Sequence, residues 1–517
     1  MSEAWSLRLR AVAALGAIAV LALYYFQTAP ANGDFWWYDS SRHAMNGVFI
    51  HDFLLGGGLR DPIRFATDYY QRYPAVNVGF YPPFFYLSSV PMLLLLGTNH
   101  VASQATVSLY VLLAGSMSYL LLRRAMGPLT AGAAVLAMLS LAPFALWSRQ
   151  VQLDVPAVAM LLVTSYALLR YLELGGRRWL YLSALFLGLA MLTRVQAMFA
   201  VPAYLYFLFL HRHPDPAPLR HRLAALVLMG CVAAPAALMM AHFSRVNQSL
   251  ATSVPGMPGL WTLENWTWYL KQLPQQFGWP CIVLVAAGMA AIVRSAAQRK
   301  LPLAGRILLA FAICAWLFFT IVSNKDGRFN LPGITFLFLA AAAGLAQYGG
   351  RLAPVAVPVL AAWQLSQLAL MPPVPYVAGF REAAQLAAEV APRNSNVLIS
   401  AHRDGSFIYD LRTLGSRPDL GVRRADKLFV EIAIMRELGI KDRGYGKAEI
   451  LQVLAQNRID TIVIQPGYLA DQPAMAAFES MLSENTLYHK VRAIPMRGKL
   501  DKPEKELVIY SKAAAIN

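Results

Sequence analysis

The sequence predicts a polytopic α-helical membrane protein that ends in an α/β domain outside the membrane. Three observations carry this. The chain of 517 residues is 57% hydrophobic and 14% charged, where a soluble protein carries roughly a quarter charged residues. Its apolar residues stand in blocks near the length of about 20 residues that a helix needs to cross a bilayer. From residue 381 onward the composition changes, with 20 Lys+Arg against 17 Asp+Glu, leaving 25 and 11 for residues 1–380. The net charge of +17 therefore rests mostly on the membrane part (+14), as a positive-inside topology requires. A nucleic-acid-binding protein would show a basic face with readout residues, and none is visible.

The first block, "MSEAWSLRLRAVAALGAIAVLALYYFQTAPA", has Arg8 and Arg10 before an apolar core and Ala29-Pro30-Ala31 after it, the pattern of a secretory signal. The apolar run is long for a signal and more spans follow, so an uncleaved first helix is expected. Spans are expected near 9–27, 100–122, 129–147, 155–172, 179–193, 195–211, 222–242, 277–295, 303–322, 331–348 and 352–371, about eleven in all. Basic clusters fall between alternate spans: Arg123/Arg124, Arg177/Arg178, Arg212 to Arg222, Arg294 to Lys300, and Arg351. With Arg8 and Arg10 they share one face if the N-terminus is cytoplasmic, as at a bacterial inner membrane. Phe84 to Gly97 is short for a span and contains Pro91, so it is expected as a helix in the outer surface.

The opposite face then receives the first loop (28–99), a short loop at Asp154, a turn at Thr193/Arg194, the loop 243–276, the turn "SNKDGRFNLP" and everything after 372. Two domains follow, a membrane domain over 1–376 and a soluble extracytoplasmic domain over 377–517. In the tail, "NVLIS", "TIVIQ" and "ELVIYSK" read as strands, and "FREAAQLAAEV" and "EILQVLAQN" as amphipathic helices. Cys231, Cys281 and Cys314 lie in apolar runs without metal-ligand spacing and read as packed thiols.

Of the eleven acids before residue 381, Glu3, Glu173 and Asp215 fall on the cytoplasmic side. Asp34, Asp39, Asp52, Asp61, Asp68, Asp154, Glu264 and Asp326 fall outside. A carboxylate near lipid is costly unless paired, which makes these functional candidates. Asp39, in "FWWYDSSRHAMNG", follows four aromatic residues suited to the membrane interface; its plain alternative is a solvated loop residue. A short surface helix over Ser40 to Gly47 would have Asp39 or Ser40 as its cap. Asp154, in "WSRQVQLDVPAVAML", starts a span two residues before Pro156, and a helix N-cap is the plain reading there. Arg194 in "MLTRVQAMF" and Lys325 with Arg328 in "SNKDGRFNLP" set cations at helix ends on the less basic face. Such cations suit a lipid phosphate, or else snorkel at the surface. Tyr81 in "YPPFFYL" and Arg149 in "WSRQ" join them as candidate substrate contacts.

Taken in order, "WYD", "YPPFFYL", "LDVP", "LTRVQ" and "NKDGRFNLP" resemble the GT-C membrane glycosyltransferases over about residues 9–340. The likeness is nearest to the branch of protein O-mannosyltransferases and lipid A aminoarabinose transferases. Ser40 stands where many relatives have Glu, Tyr81 where they have His, Arg194 where they often have Lys, and Phe329 where they have Tyr. The Ser40 difference weakens the expectation of a divalent metal, and the resemblance requires no cofactor for certain. The resemblance implies inverting transfer of a sugar from a polyprenyl phosphate to an acceptor on lipid A, a protein or a surface glycan, outside the cytoplasm. It implies Asp39 as base, Asp154 as its partner in orienting base or acceptor, and Arg194, Lys325 and Arg328 as holders of the lipid phosphate. No GxGxxG or P-loop marks a nucleotide pocket. Two other classes stay open: a flippase that moves a lipid-linked glycan without chemistry, and an anchored glycan-binding module. Internal repeats and charged mid-membrane helices, the marks of a transporter, are not seen.

Overall fold

The computed structural model describes residues 3–77, 79–211, 216–252, 254–297, 301–348, 353–432, 436–484, 487–501 and 504–512. Arg212, Asp215, Lys300 and Arg351, which belong to the expected cytoplasmic clusters and acids, lie outside the described residues. The chain divides into two compact units, one of 1–29, 79–85 and 105–373, the other of 30–78, 86–104 and 374–517.

Hydropathy explains the long helices. Six are long and apolar enough to cross a membrane: Trp5–Gln27, His100–Leu122, Asp154–Leu174, Leu219–His242, Leu303–Ile321 and Ala353–Leu370. A bent pair, Leu263–Phe277 and Trp279–Arg294, turns by 119° at its break, where Gly278 takes φ +74°. Phe84–Leu96, Pro128–Leu139, Val195–Leu210 and Leu331–Gln347 are apolar but shorter. The protein is thus a multi-pass membrane protein, though several expected spans are not single straight helices. The one expected over 129–147 is cut into Pro128–Leu139 and Ala142–Trp147, because Pro143 offers no backbone N–H to continue the ladder. The one over 195–211 passes from a 3₁₀ turn through α to π geometry.

In the first unit the Asp154–Leu174 helix is the most enclosed, with 89% of its apolar window buried. Arg177–Thr193 packs along it. Trp279–Ala297 crosses Leu331–Tyr348 so closely that a Cβ on Gly288 would lie 2.3 Å from the Ala341 carbonyl oxygen. Small residues permit such an approach where lipid supplies no hydrophobic drive between helices.

The second unit is built on a five-stranded sheet in the order Gly421–Arg424, Asn396–Ser400, Ile459–Ile464, Glu506–Lys512, Tyr488–Pro495. The first three strands run parallel and the last two are antiparallel to their neighbours. The strands and helices expected in the tail are all present, including Phe380–Val390 and Lys447–Gln456. The tail does not stand alone, because the first outer loop packs into the same unit. Its helix Tyr38–Leu55 lies against Asp404–Leu414, Arg412 bonds Asp52 at 3.1 Å, and Arg72 donates to the Leu420 carbonyl at 3.2 Å. Phe35 is buried between His100 and Tyr409, with ring centroids 4.0 and 5.0 Å away.

Candidate active site

The site residues expected from sequence divide between the two units. Asp154, Arg194, Arg149, Lys325, Arg328 and Tyr81 belong to the first, and Asp39 to the second.

In the first unit, Asp154 occupies the first turn of its helix, 3% exposed. The expected N-cap role is not what the structure shows. Leu153 is the cap position and no side chain caps the helix; the Asp154 carboxylate turns to Arg194 and forms an ion pair. Arg194 can reach it because its backbone is extended (φ −150°, ψ 118°) where the Arg177–Thr193 helix gives way to the 3₁₀ turn Val195–Ala200. A buried carboxylate at a helix N-terminus also meets the positive end of the helix dipole. The pair lines a narrow cavity with Ala157, Phe199, Phe319 and Phe329, so its charges sit among apolar walls.

Arg194 also holds Gln196 through Nε at 3.3 Å, and its guanidinium lies 5.5 Å from the centre of the Phe329 ring. Arg328 approaches the same ring from 5.3 Å and the Trp147 ring from 5.5 Å. It donates to Gln152 Oε1 at 3.3 Å and pairs with Asp326 at 3.2 Å. Arg194 and Arg328 are thus legible in the sequence, whereas Trp147, Gln152 and the shared contact of both cations with the Phe329 ring carry no local sequence signal.

Lys325 is differently engaged from the phosphate role expected of it. Its ammonium donates to the Phe319 and Thr320 carbonyls at 2.9 and 2.8 Å, the last turn of Leu303–Ile321, and stands 5.1 Å from the Tyr269 ring centre. Only 4% of it is exposed, and burial pushes its pKa down to about 8. A buried cation bonded to two terminal carbonyls is a C-cap that complements the helix dipole. Arg149 is 5% exposed, donates to the Ala145 carbonyl at 3.0 Å and lies over the Tyr25 ring at 5.4 Å. It stabilises the end of the Ala142–Trp147 helix. Tyr81 stacks edge-on with Phe80 at 5.0 Å.

In the second unit Asp39 lies in the first turn of Tyr38–Leu55, a helix longer than the one expected, with Trp37 at the cap position. Neither Asp39 nor Ser40 caps it through its side chain. Ser40, 0% exposed, faces the interior of the unit while Asp39 is half-buried. Among the described residues no three His, Cys, Asp or Glu side chains gather as a metal site.

Residues 81–240 match the family model of dolichyl-phosphate-mannose-protein mannosyltransferases. No curated protein sequence matches the chain. Among solved structures, apo ArnT from Cupriavidus metallidurans gives a TM-score of 0.61 at 14% identity, over 96% of this chain and 97% of that one. ArnT bound to undecaprenyl phosphate gives 0.61 at 13% identity, over 99% of each chain. The archaeal oligosaccharyltransferase AglB from Archaeoglobus fulgidus, in complex with an inhibitory peptide and a dolichol-phosphate, gives 0.51 at 12% identity. That match covers 88% of this chain and 69% of AglB. At such identities the likeness speaks for the fold. The chain has the fold of the GT-C glycosyltransferases ArnT and AglB, and its residues 81–240 are similar to the dolichyl-phosphate-mannose-protein mannosyltransferases.

Proposed function

We propose that the protein transfers a sugar from a polyprenyl-phosphate donor to an acceptor outside the cytoplasm, with inversion at the anomeric carbon. The observation that carries this reading is the Asp154–Arg194 pair with Arg328 beside it, two guanidinium groups turned toward one aromatic ring among apolar walls. Cleaving the sugar–phosphate bond leaves negative charge on the lipid phosphate, and fixed cations in a water-poor site stabilise that charge as it grows. Arginine suits the task because its planar fork stays charged and donates two bonds at once to a phosphate. Asp154 holds the Arg194 fork in place by one end. The ArnT structure with undecaprenyl phosphate, of the same fold, supports a lipid phosphate as the ligand.

Asp39 serves as the base that takes the acceptor's proton. Its place in the first turn of Tyr38–Leu55, half-buried behind an aromatic loop, supports that role. The donor sugar is a pentose or hexose, and the acceptor belongs to lipid A, a protein or a surface glycan. The protein sits in the bacterial inner membrane with the second unit outside the cytoplasm.

The test is sugar transfer in membranes carrying Asp39→Asn. A general base contributes about 10²- to 10⁴-fold, so turnover should fall by that much while binding of the lipid donor holds. Turnover at the wild-type rate would remove Asp39 from the chemistry.

A further inference from the structure

The three parallel strands of the second unit carry a feature that the transfer reaction leaves unexplained. The chain leaves Asn396–Ser400 into the helix Asp404–Leu414 and on to the outer strand Gly421–Arg424. It leaves the neighbouring strand Ile459–Ile464 toward the opposite edge. The crevice beyond the carboxyl ends of two such strands is where open α/β sheets hold their ligands. Here that position is filled by Arg403, Asp404 and Gly405, and all three grip a segment of the chain itself, residues 36–42.

Arg403 makes the tightest grip. It is 3% exposed. Its Nη1 donates to the Trp36 carbonyl, its Nη2 to Asp501 at 2.9 Å and its Nε to Glu504 at 3.2 Å. The guanidinium lies 4.2 Å from the centre of the Tyr38 ring, and the Tyr38 hydroxyl donates to the same Asp501 carboxylate. Asp404 pairs with Arg42 at 2.9 Å and with Arg424 at 2.6 Å. Gly405 lies so close to Ser41 that a Cβ there would come within 2.8 Å of its hydroxyl. Contacts to Trp36 and Tyr38 on one side and to Ser41 and Arg42 on the other bracket Asp39.

We propose that Arg403 is a positioning residue for Asp39: it fixes the backbone and ring that enter the Asp39 helix, and so sets where the carboxylate stands. The inference rests on the reading of Asp39 as base. Lysine cannot replace Arg403, because one ammonium cannot face a ring and at once bond a carbonyl and two carboxylates set around a planar fork.

Two measurements on the full-length protein test this. In transfer assays, Arg403→Lys should lower kcat at least tenfold and leave KM for the lipid donor within about twofold. Added to Asp39→Asn, the same substitution should have no further effect, since the two act through one group. A second full loss in the Asp39→Asn background would overturn positioning, and so would a wild-type kcat in Arg403→Lys. Full activity of Asp39→Asn alone would instead defeat the assignment of the base. Hydrogen exchange reads the clamp without activity: Arg403→Lys should speed exchange across residues 38–42 more than across the five-stranded sheet. Unchanged exchange there would overturn the clamp whatever the assays give.

Discussion

Asp410 puts a carboxyl group in the interior of the second unit, 1% exposed, with neither oxygen hydrogen-bonded among the described residues. The backbone of Gly33, at φ +83°, lies against it, so close that a Cβ on Gly33 would overlap the carboxylate. Burial holds Asp410 well above the usual carboxylate range, and burial raises the nearby Asp34 to about 6; Arg381 opposes both shifts. Carboxyl groups with raised folded pKa values keep protons that the unfolded chain releases, so their contribution favours folding at acid pH. For Asp34 that contribution is lost as pH rises from about 4 to about 6, and for Asp410 the loss continues higher. The expected outcome is that Asp410→Asn raises the unfolding temperature at pH 7.5 by several degrees. It should also shrink the difference between pH 5 and pH 7.5, as read by thermal unfolding of the full chain in detergent. An unaltered pH dependence would show that Asp410 is ionised and paired in solution.

At the scale of elements, Lys325 separates two roles that the sequence leaves together. If its ammonium serves chiefly to cap Leu303–Ile321 through the Phe319 and Thr320 carbonyls, Lys325→Met should cost about 1 kcal/mol of stability. Retention of undecaprenyl phosphate by the purified protein should then change little, whereas Arg194→Met should weaken it strongly. Equal losses of lipid binding would return Lys325 to the phosphate. The helices themselves were legible because apolar blocks of span length have few other fates, and the parallel strands because "NVLIS" and "TIVIQ" are short, apolar and β-branched. The break at Pro143 was less so, since it lies inside a run that hydropathy alone reads as continuous, and the helix before Gly278 falls in a polar stretch that reads as loop. Asp154 shows the deeper limit. Its neighbours Val155 and Pro156 announce a helix start, and local rules therefore offer a cap. The partner that wins its side chain, Arg194, is 40 residues away. The Arg403 clamp spans 367 residues, and no local pattern in "SAHRDGSF" announces it.

On the scale of the whole molecule, the composition of the second unit constrains topology. Residues 30–78, 86–104 and 374–517 form one compact unit, and the open five-stranded sheet at its centre cannot sit in the hydrocarbon of a bilayer. The chain must therefore cross an even number of times between residue 104 and residue 374. The same argument keeps Phe84–Leu96 from crossing, which agrees with its 13 residues and its internal Pro91. With the first helix added, the total is odd. The six long helices alone place five in that interval, so at least one further crossing must come from Arg177–Thr193, the bent pair or the shorter apolar helices. Ten crossings there, as the basic clusters suggest, satisfy the parity. Single cysteines in a background without Cys231, Cys281 and Cys314 would test this with a membrane-impermeant maleimide. Labels at positions 60, 258 and 472 should react in intact spheroplasts, and labels at 127 and 176 should react after lysis alone. Reaction at 176 before lysis would break the positive-inside assignment of Arg177/Arg178. Protection of 472 with reaction at 60 would break the parity.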